Sequence, residues 1–181
     1  MKHLIILVGE SGSGKNYLAE KSNIYRIITH TTRSPRPNEA NGIDYFFENT
    51  VPDKNDNNIM TLDNFQGNFY WTTCKDIEDA LEQYNNCIMI ATFRGFQELI
   101  SNTEFKNNIF GIYLHTSKEQ LKEHILKRDA SKNEKSKRIE TLPSDTVAMK
   151  KEINFLNYQR TIILNSSNLD ENIKILKSIT K

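Results

Sequence analysis

Residues 9–16 read GESGSGKN and stand directly after the apolar run LIILV at residues 4–8. They follow the phosphate-loop pattern G-x-x-x-x-G-K-[ST] except at the last position, where Asn16 replaces the hydroxyl residue. Glycines allow the backbone to curl around an anion, and Lys15 supplies a point charge for the phosphates. The segment therefore predicts a strand, a phosphate-binding loop and the start of a helix, in that order.

Length and charge narrow the class of protein. The chain has 181 residues, with 24 basic and 23 acidic side chains and a formal net charge of +1. This length is typical of one domain with a buried core. The near-neutral balance favours small-molecule partners and no nucleic acid or membrane. Two cysteines and a start unlike a signal sequence predict a cytoplasmic protein with reduced thiols, while monomer and homodimer both stay open.

Apolar, β-branched runs alternate with helical patterns along the chain. After residues 3–8, strands are predicted at 26–29, 87–91, 109–115 and 161–164. The start of a helix is predicted at Lys15–Lys21, and further helices are predicted at about 94–102, 117–127, 138–157 and 169–179. The alternation predicts an α/β fold, in which a parallel sheet with helices on both faces forms a three-layer phosphate-loop core.

Two segments interrupt this alternation. Residues 34–84 are polar and turn-rich, with strand-like pieces at 44–47 and 69–73, and we expect an inserted β-rich lobe there. Residues 128–138, RDASKNEKSKR, are charged and nearly devoid of apolar side chains, which favours a surface lid. The predicted division of the single domain is a core of 1–33, 85–127 and 139–181, a lobe of 34–84 and a lid of 128–138.

A second motif, TTRSPRPNEANGIDYFF, occupies residues 31–47. Arg33 and Arg36 lie on a proline-stiffened turn, so they form a rigid guanidinium pair able to grip a phosphate bidentately. The stretch resembles the guanylate kinase family, whose nucleotide-monophosphate lobe opens with T-T-R-x-P-R, a short spacer and G-x-D-Y-x-F. GNFYWT at residues 67–72 is similar to the family's G-N-x-Y-G-[ST] segment. The resemblance covers nearly the whole chain and is strongest over residues 1–72.

The resemblance implies transfer of the γ-phosphoryl group of ATP, with Mg²⁺, to a nucleoside monophosphate. The implied catalytic residues are Lys15, Arg33 and the lid residues Arg128 and Arg138, which would close over ATP and stabilise transferring charge. The implied ATP-binding residues are Gly9, Ser11, Gly12, Ser13, Gly14, Lys15, Asn16 and Asn165, the last beside adenine. The implied monophosphate-binding residues are Thr29, Arg33, Arg36, Tyr45, Thr61, Asp63, Tyr70, Thr72 and Thr92.

Four positions depart from the family pattern. Ile90 stands where the family has an aspartate that helps to hold Mg²⁺, and the amide oxygen of Asn16 is a candidate ligand in place of a hydroxyl. Thr61 and Thr92 stand where the family has the two carboxylates that read guanine. Hydroxyls can donate or accept hydrogen bonds, so we expect guanine selectivity to fall. Asp63 is the alternative reader, because a shift of two residues would put it in place of Thr61.

GMP or dGMP is the leading acceptor that the resemblance implies. An acceptor with another base, such as a modified deoxynucleotide or a pyrimidine, is the alternative that the threonines favour, and a phosphorylated sugar is a further one. A non-catalytic guanylate-kinase-like module that binds phosphorylated peptides is the alternative from another class. Such modules usually lose the phosphate loop, and this chain keeps Gly9, Gly14 and Lys15, which favours an enzyme.

Overall fold

The computed structural model describes residues 2–102, 105–127 and 130–180. Its strands are β1 (His3–Val8), β2 (Tyr25–Arg26), β3 (His30–Thr31), β4 (Phe46–Phe47), β5 (Ile59–Phe65), β6 (Asn68–Thr73), β7 (Asn86–Ile90), β8 (Ile109–His115) and β9 (Thr161–Asn165). Its helices are α1 (Lys15–Lys21), α2 (Cys74–Gln83), α3 (Phe93–Ser101), α4 (Lys118–Lys127), α5 (Lys132–Glu140), α6 (Asp145–Leu156) and α7 (Leu169–Ile179). A 3-10 turn at Ser166–Asn168 precedes α7.

The larger sheet is parallel and has the strand order β2-β7-β1-β8-β9. Successive side chains of β1 enter opposite clusters: Leu4 and Ile6 pack on one face, Ile5 and Leu7 on the other. All four are completely buried, and burial of each stabilises the fold by about 1.5–3 kcal/mol relative to exposure. The predicted α/β fold class, with a parallel sheet covered on both faces, is confirmed.

A smaller, mixed sheet has the order β4-β3-β6-β5, with β3 parallel to β4 and antiparallel to β6. In chain order this sheet begins with β3, at His30–Thr31, which lies before the predicted lobe boundary at residue 34. In the larger sheet, β2 covers only Tyr25–Arg26, whereas a strand was predicted at 26–29. Helix α2 follows this sheet and was missed by the sequence analysis. Its capping box joins Thr73 and Asp76, whose side chains each accept a hydrogen bond from the other's backbone N–H.

The single helix predicted at 138–157 is wrong, because the chain forms two helices, α5 and α6. Pro143 lies between them, and a helix interior does not accommodate proline without losing a backbone hydrogen bond. Ser144 then begins α6, with its side chain accepting a hydrogen bond from Val147 N at 3.4 Å. None of the helices in the described part of the chain has the length and apolar character needed to cross a bilayer.

Gly111 on β8 provides a test of this packing. A Cβ atom added there would lie 2.8 Å from Phe155 Cζ and 2.9 Å from Phe96 Cε2, and both rings are fully buried. We expect Gly111→Ala to lower the free energy of unfolding by about 1–3 kcal/mol, because overpacking forces the rings off their rotamers. Urea denaturation measures the change. In a Phe155→Leu background, Gly111→Ala should lower the free energy of unfolding by a smaller amount. An equal loss in both backgrounds would contradict the contact.

Candidate active site

A cavity of about 550 Å³ opens beyond the carboxyl ends of β1, β7 and β8, and residues of the smaller sheet line its other side. Val8, Ile90 and Tyr113 mark where the three parallel strands reach it. Ligands of open α/β sheets bind in such a crevice, outside the carboxyl ends of the strands. The cavity is therefore the candidate active site.

The phosphate loop forms the floor of this cavity, and glycine is required where it turns. Gly9 has φ +153°, and a Cβ atom there would lie 2.7 Å from the carbonyl oxygen of Leu114. Gly14 has φ +91° and precedes the first residue of α1. Lys15 Nζ donates to the carbonyl oxygens of Gly9 and Glu10, both at 2.8 Å. The loop thus closes around its own lysine, which lines the cavity.

Arg33 and Arg36 converge on one carboxylate, that of Glu39. Each nitrogen at the end of the Arg33 guanidinium lies 2.9 Å from a Glu39 oxygen, and Arg36 Nη1 lies 3.1 Å from Glu39 Oε1. Burial alone would raise the pKa of Glu39, but the hydrogen bonds from Arg33 and from the Arg36 backbone outweigh it and hold that pKa below its usual value. The arginine pair therefore forms an anion site, with Glu39 as its anion.

Two tyrosines stand beside this pair. The rings of Tyr45 and Tyr70 meet edge to face with centroids 6.0 Å apart, and the Arg33 guanidinium lies 5.3 Å from the centroid of Tyr45. Burial, with a smaller contribution from Tyr70, raises the pKa of Tyr45 above its ordinary value. Tyr45 therefore keeps its hydroxyl proton at physiological pH and can donate a hydrogen bond.

Arg138 on α5 links the phosphate loop to the arginine pair. Its Nη1 donates to Ser11 Oγ at 2.6 Å, while Nε and Nη2 donate to Glu134 Oε1 at 3.2 and 3.1 Å. The same Glu134 oxygen accepts from Arg36 Nη2 at 2.9 Å. Glu134 thereby bridges Arg36 and Arg138, both of which line the cavity. The other predicted lid arginine, Arg128, lies outside the described residues.

Three threonines lie near one another among the residues that line the cavity. Thr61 and Thr72 face each other across β5 and β6, and Thr92 caps α3 by accepting from Gly95 N at 3.0 Å. A Cβ on Gly95 would lie 3.4 Å from Thr92 Oγ1 and 3.9 Å from Thr61 Cβ, so these side chains share one corner. Thr72 Oγ1 is buried without a hydrogen-bond partner among the described residues, and a bound polar ligand would satisfy it.

Most of the predicted site residues meet in this one cavity. Those that line it are Gly9, Ser11, Gly12, Gly14, Lys15, Asn16, Thr29, Arg33, Arg36, Tyr45, Thr61, Asp63, Tyr70, Thr72, Thr92 and Arg138. Ser13 is buried within the loop. Asn165 lies outside the lining, and its side-chain oxygen accepts from Ser167 N at 2.9 Å. Its contact with adenine stays a prediction.

Among the described residues that line the cavity, two carry carboxylates, Glu10 and Asp63. Asn16 and Ile90 both line it, and the described residues contain no group of three or more His, Cys, Asp or Glu side chains placed to hold a metal. Mg²⁺ usually keeps several waters and takes one or two protein ligands beside substrate phosphates. A single amide ligand fits an ion that the nucleotide itself largely carries.

Sequence reasoning missed Glu39, Glu134 and Lys151. Glu39 follows Arg36 by three residues and Glu134 precedes Arg138 by four, and both spacings were available as signals for local ion pairs. The bridge from Glu134 to Arg36 spans 98 positions and had no local signal. The contact of Lys151 on α6 with Glu10 spans 141 positions, and it had no local sequence signal either.

A parallel α/β core with a phosphate loop and a facing arginine pair defines a phosphate-loop nucleotide-binding fold. The family model described as guanylate kinase matches residues 1–181, and the chain belongs to the guanylate kinase family.

Relatives across bacteria agree with this assignment. The guanylate kinase of Clostridium perfringens (strain 13 / Type A) is 27% identical over 184 residues, which cover 97% of this chain and 81% of the relative. That of Prochlorococcus marinus subsp. pastoris is 26% identical over 189 residues, covering 100% and 98%. The crystal structure of guanylate kinase from Anaplasma phagocytophilum aligns with a TM-score of 0.66 at 18% identity, covering 98% of this chain and 84% of that one, and shows the same fold.

The Glu134 bridge makes a testable prediction about α5. We expect Glu134→Gln to speed amide hydrogen exchange over residues 132–140 about five-fold, because loss of the charge weakens both arginine contacts by about 1 kcal/mol in total. Hydrogen–deuterium exchange with mass spectrometry measures this. Glu140→Gln on the same helix, at an exposed position, is the matched control and should leave exchange unchanged. Equal exchange in the two variants would contradict the bridge.

Proposed function

We propose that the protein transfers the γ-phosphoryl group of ATP to a nucleoside monophosphate, with GMP or dGMP as the leading acceptor, giving ADP and a nucleoside diphosphate. The observation that carries this proposal is that the phosphate loop and the Arg33–Arg36 pair line one cavity. A donor site and an acceptor site in one cavity are what direct phosphoryl transfer requires. Residues 34–84 act as the acceptor lobe and residues 128–138 as the lid, in a cytoplasmic monomer or homodimer.

The residues of the donor site bind and neutralise ATP. The backbone of residues 9–14 cradles the phosphates, and Lys15 carries the positive charge for the β and γ groups. Asn16 would hold Mg²⁺, which when bound would neutralise charge on those phosphates. Arg138 extends from α5 to the same loop through Ser11, so it adds charge on the lid side of the transferring group.

The residues of the acceptor site orient the nucleophile. Arg33 and Arg36 hold the acceptor phosphate, with Tyr45 and Tyr70 donating to its oxygens. One of those phosphate oxygens attacks the γ-phosphorus of ATP and forms a new O–P bond. As it forms, the bond between the γ-phosphorus and the β,γ-bridging oxygen breaks, and ADP leaves with the electron pair of the broken bond. Positioning and charge neutralisation supply the rate, and no covalent enzyme intermediate is needed.

Two charge-removing variants test this mechanism. We expect Lys15→Met and Arg33→Met each to lower kcat/KM by about 10²–10³-fold, because each removes a preorganised charge from the transferring or accepting phosphate. A coupled ADP-release assay measures the rates, and circular dichroism confirms folding. Lys21→Met, at the exposed end of α1, is the control and should keep its activity. A near-normal rate for either site variant would remove that residue from the mechanism.

A second candidate is the same reaction on an acceptor with another base. Thr61 and Thr92 meet at one corner of the cavity, where the resemblance implies two guanine-reading carboxylates. Asp63 also lines the cavity, but in the strand register Thr61 faces Thr72 and Asp63 faces Tyr70. Turnover of GMP, dGMP, AMP, dTMP and dCMP in the same assay separates the candidates. GMP or dGMP alone supports the first, and another base supports the second.

Introducing one of the carboxylates that the family resemblance implies tests whether Thr61 and Thr92 set the base preference. Aspartate caps helices as well as threonine does, so Thr92→Asp should keep α3 intact while it adds an acceptor for guanine N–H groups. We expect the ratio of kcat/KM for GMP to that for dTMP to rise at least about ten-fold. Thr92→Asn caps equally well without the charge and is the matched control. An unchanged ratio in Thr92→Asp would place base recognition elsewhere.

A further inference from the structure

Glu10 places a carboxylate inside the phosphate loop. Its side chain is 21% exposed and lines the cavity. A fixed negative charge there repels an ATP polyphosphate, and the repulsion is stronger than in water because protein surrounds much of the site. A loop of this sequence therefore needs a compensating positive charge in addition to the lysine that binds phosphate.

Lys151 on α6 provides that charge. Its Nζ lies 3.0 Å from Glu10 Oε1, its side chain is 35% exposed, and it too lines the cavity. The next residue, Glu152, contacts His115 at the end of β8, so two adjacent side-chain contacts hold this turn of α6 against the phosphate loop and the end of β8. Lys150, one position earlier, is exposed.

Tyr113 forms the wall beside Glu10 and adds no compensating charge. The side chain is 2% exposed and lines the cavity. Burial chiefly, and then the charges of Glu10 and Glu152, raise the pKa of its hydroxyl. The Tyr113 wall is neutral, so neutralisation of the Glu10 charge depends on nearby cations, and Lys151 makes a direct side-chain contact with it.

We propose that Lys151 is a positioning residue for ATP: it neutralises Glu10 and so allows a phosphate loop that contains a carboxylate to bind a polyphosphate. The inference rests on the proposed function, because it takes residues 9–16 as the ATP site. In this proposal, Lys151 affects ATP binding only by neutralising the carboxylate of Glu10. Loss of Lys151 alone should therefore weaken ATP binding, and loss of both charges should restore it.

A double-mutant cycle tests the pair without any acceptor. Isothermal titration calorimetry with AMP-PNP and Mg²⁺ measures binding to the full chain and to Lys151→Gln, Glu10→Gln and the double variant. We expect Lys151→Gln to raise Kd about ten-fold, and the double variant to return within about two-fold of wild type. Lys151→Arg should rescue binding, and Lys150→Gln, the matched control, should leave it unchanged.

The outcomes distinguish this proposal from simple structural support. A Lys151→Gln protein that binds AMP-PNP like wild type would overturn it, as would a double variant that binds no better than Lys151→Gln. The ten-fold loss should also shrink as salt is raised, because partly exposed charges are screened, whereas damage to the packing of α6 would persist. Binding of AMP-PNP by the wild-type protein without turnover of any acceptor would overturn the proposed function alone. Absence of AMP-PNP binding would overturn both.

Discussion

Strand β1 runs between β7 and β8 with its side chains buried on both faces of the sheet. The parallel register places Leu7 beside Ile90 and Ile112, so β1 and β7 end within one residue of each other, while β8 continues to His115. The chain then leaves β1 through Gly9, which passes so close to the Leu114 carbonyl that only glycine fits. This contact fixes where the phosphate loop stands relative to the sheet, and the remaining site residues are placed around that loop.

The parts of the fold that sequence predicted are those that local spacing determines. The start of α1 at Lys15 and the strand at Ile109–His115 appear where they were predicted, because a glycine loop precedes the helix and an apolar run forms the strand. The break between α5 and α6 was readable from Pro143 and Ser144, since proline and a serine cap end and begin helices. Helix α2 was equally readable from Thr73 and Asp76, which have capping-box spacing.

The sequence motifs of the candidate site were predictable, but the side-chain contacts that join them were not. The arginine pair and the phosphate loop are local patterns, and both reach one cavity. The bridge from Glu134 to Arg36 and the pair of Lys151 with Glu10 join elements far apart in the chain. They depend on how α5 and α6 pack against the sheets, and no periodicity in a single sequence encodes that. The position of Asn165 also depends on this packing: its side chain is exposed and lies away from the cavity lining.

The carboxylate of Glu39 has a consequence for the thermodynamics of the arginine pair. Arg33 and Arg36 already hold an anion. Under the proposed function, capture of an acceptor phosphate would therefore exchange one anionic partner for another and would not be an addition to bare guanidinium groups. The side chains of Arg33 and Arg36 are 13% and 29% exposed, so much of their desolvation precedes binding. The favourable free energy of phosphate binding would then be mainly the difference between a phosphate and a carboxylate partner. Such a site discriminates by charge and shape, since a neutral or singly charged ligand gains little by displacing Glu39.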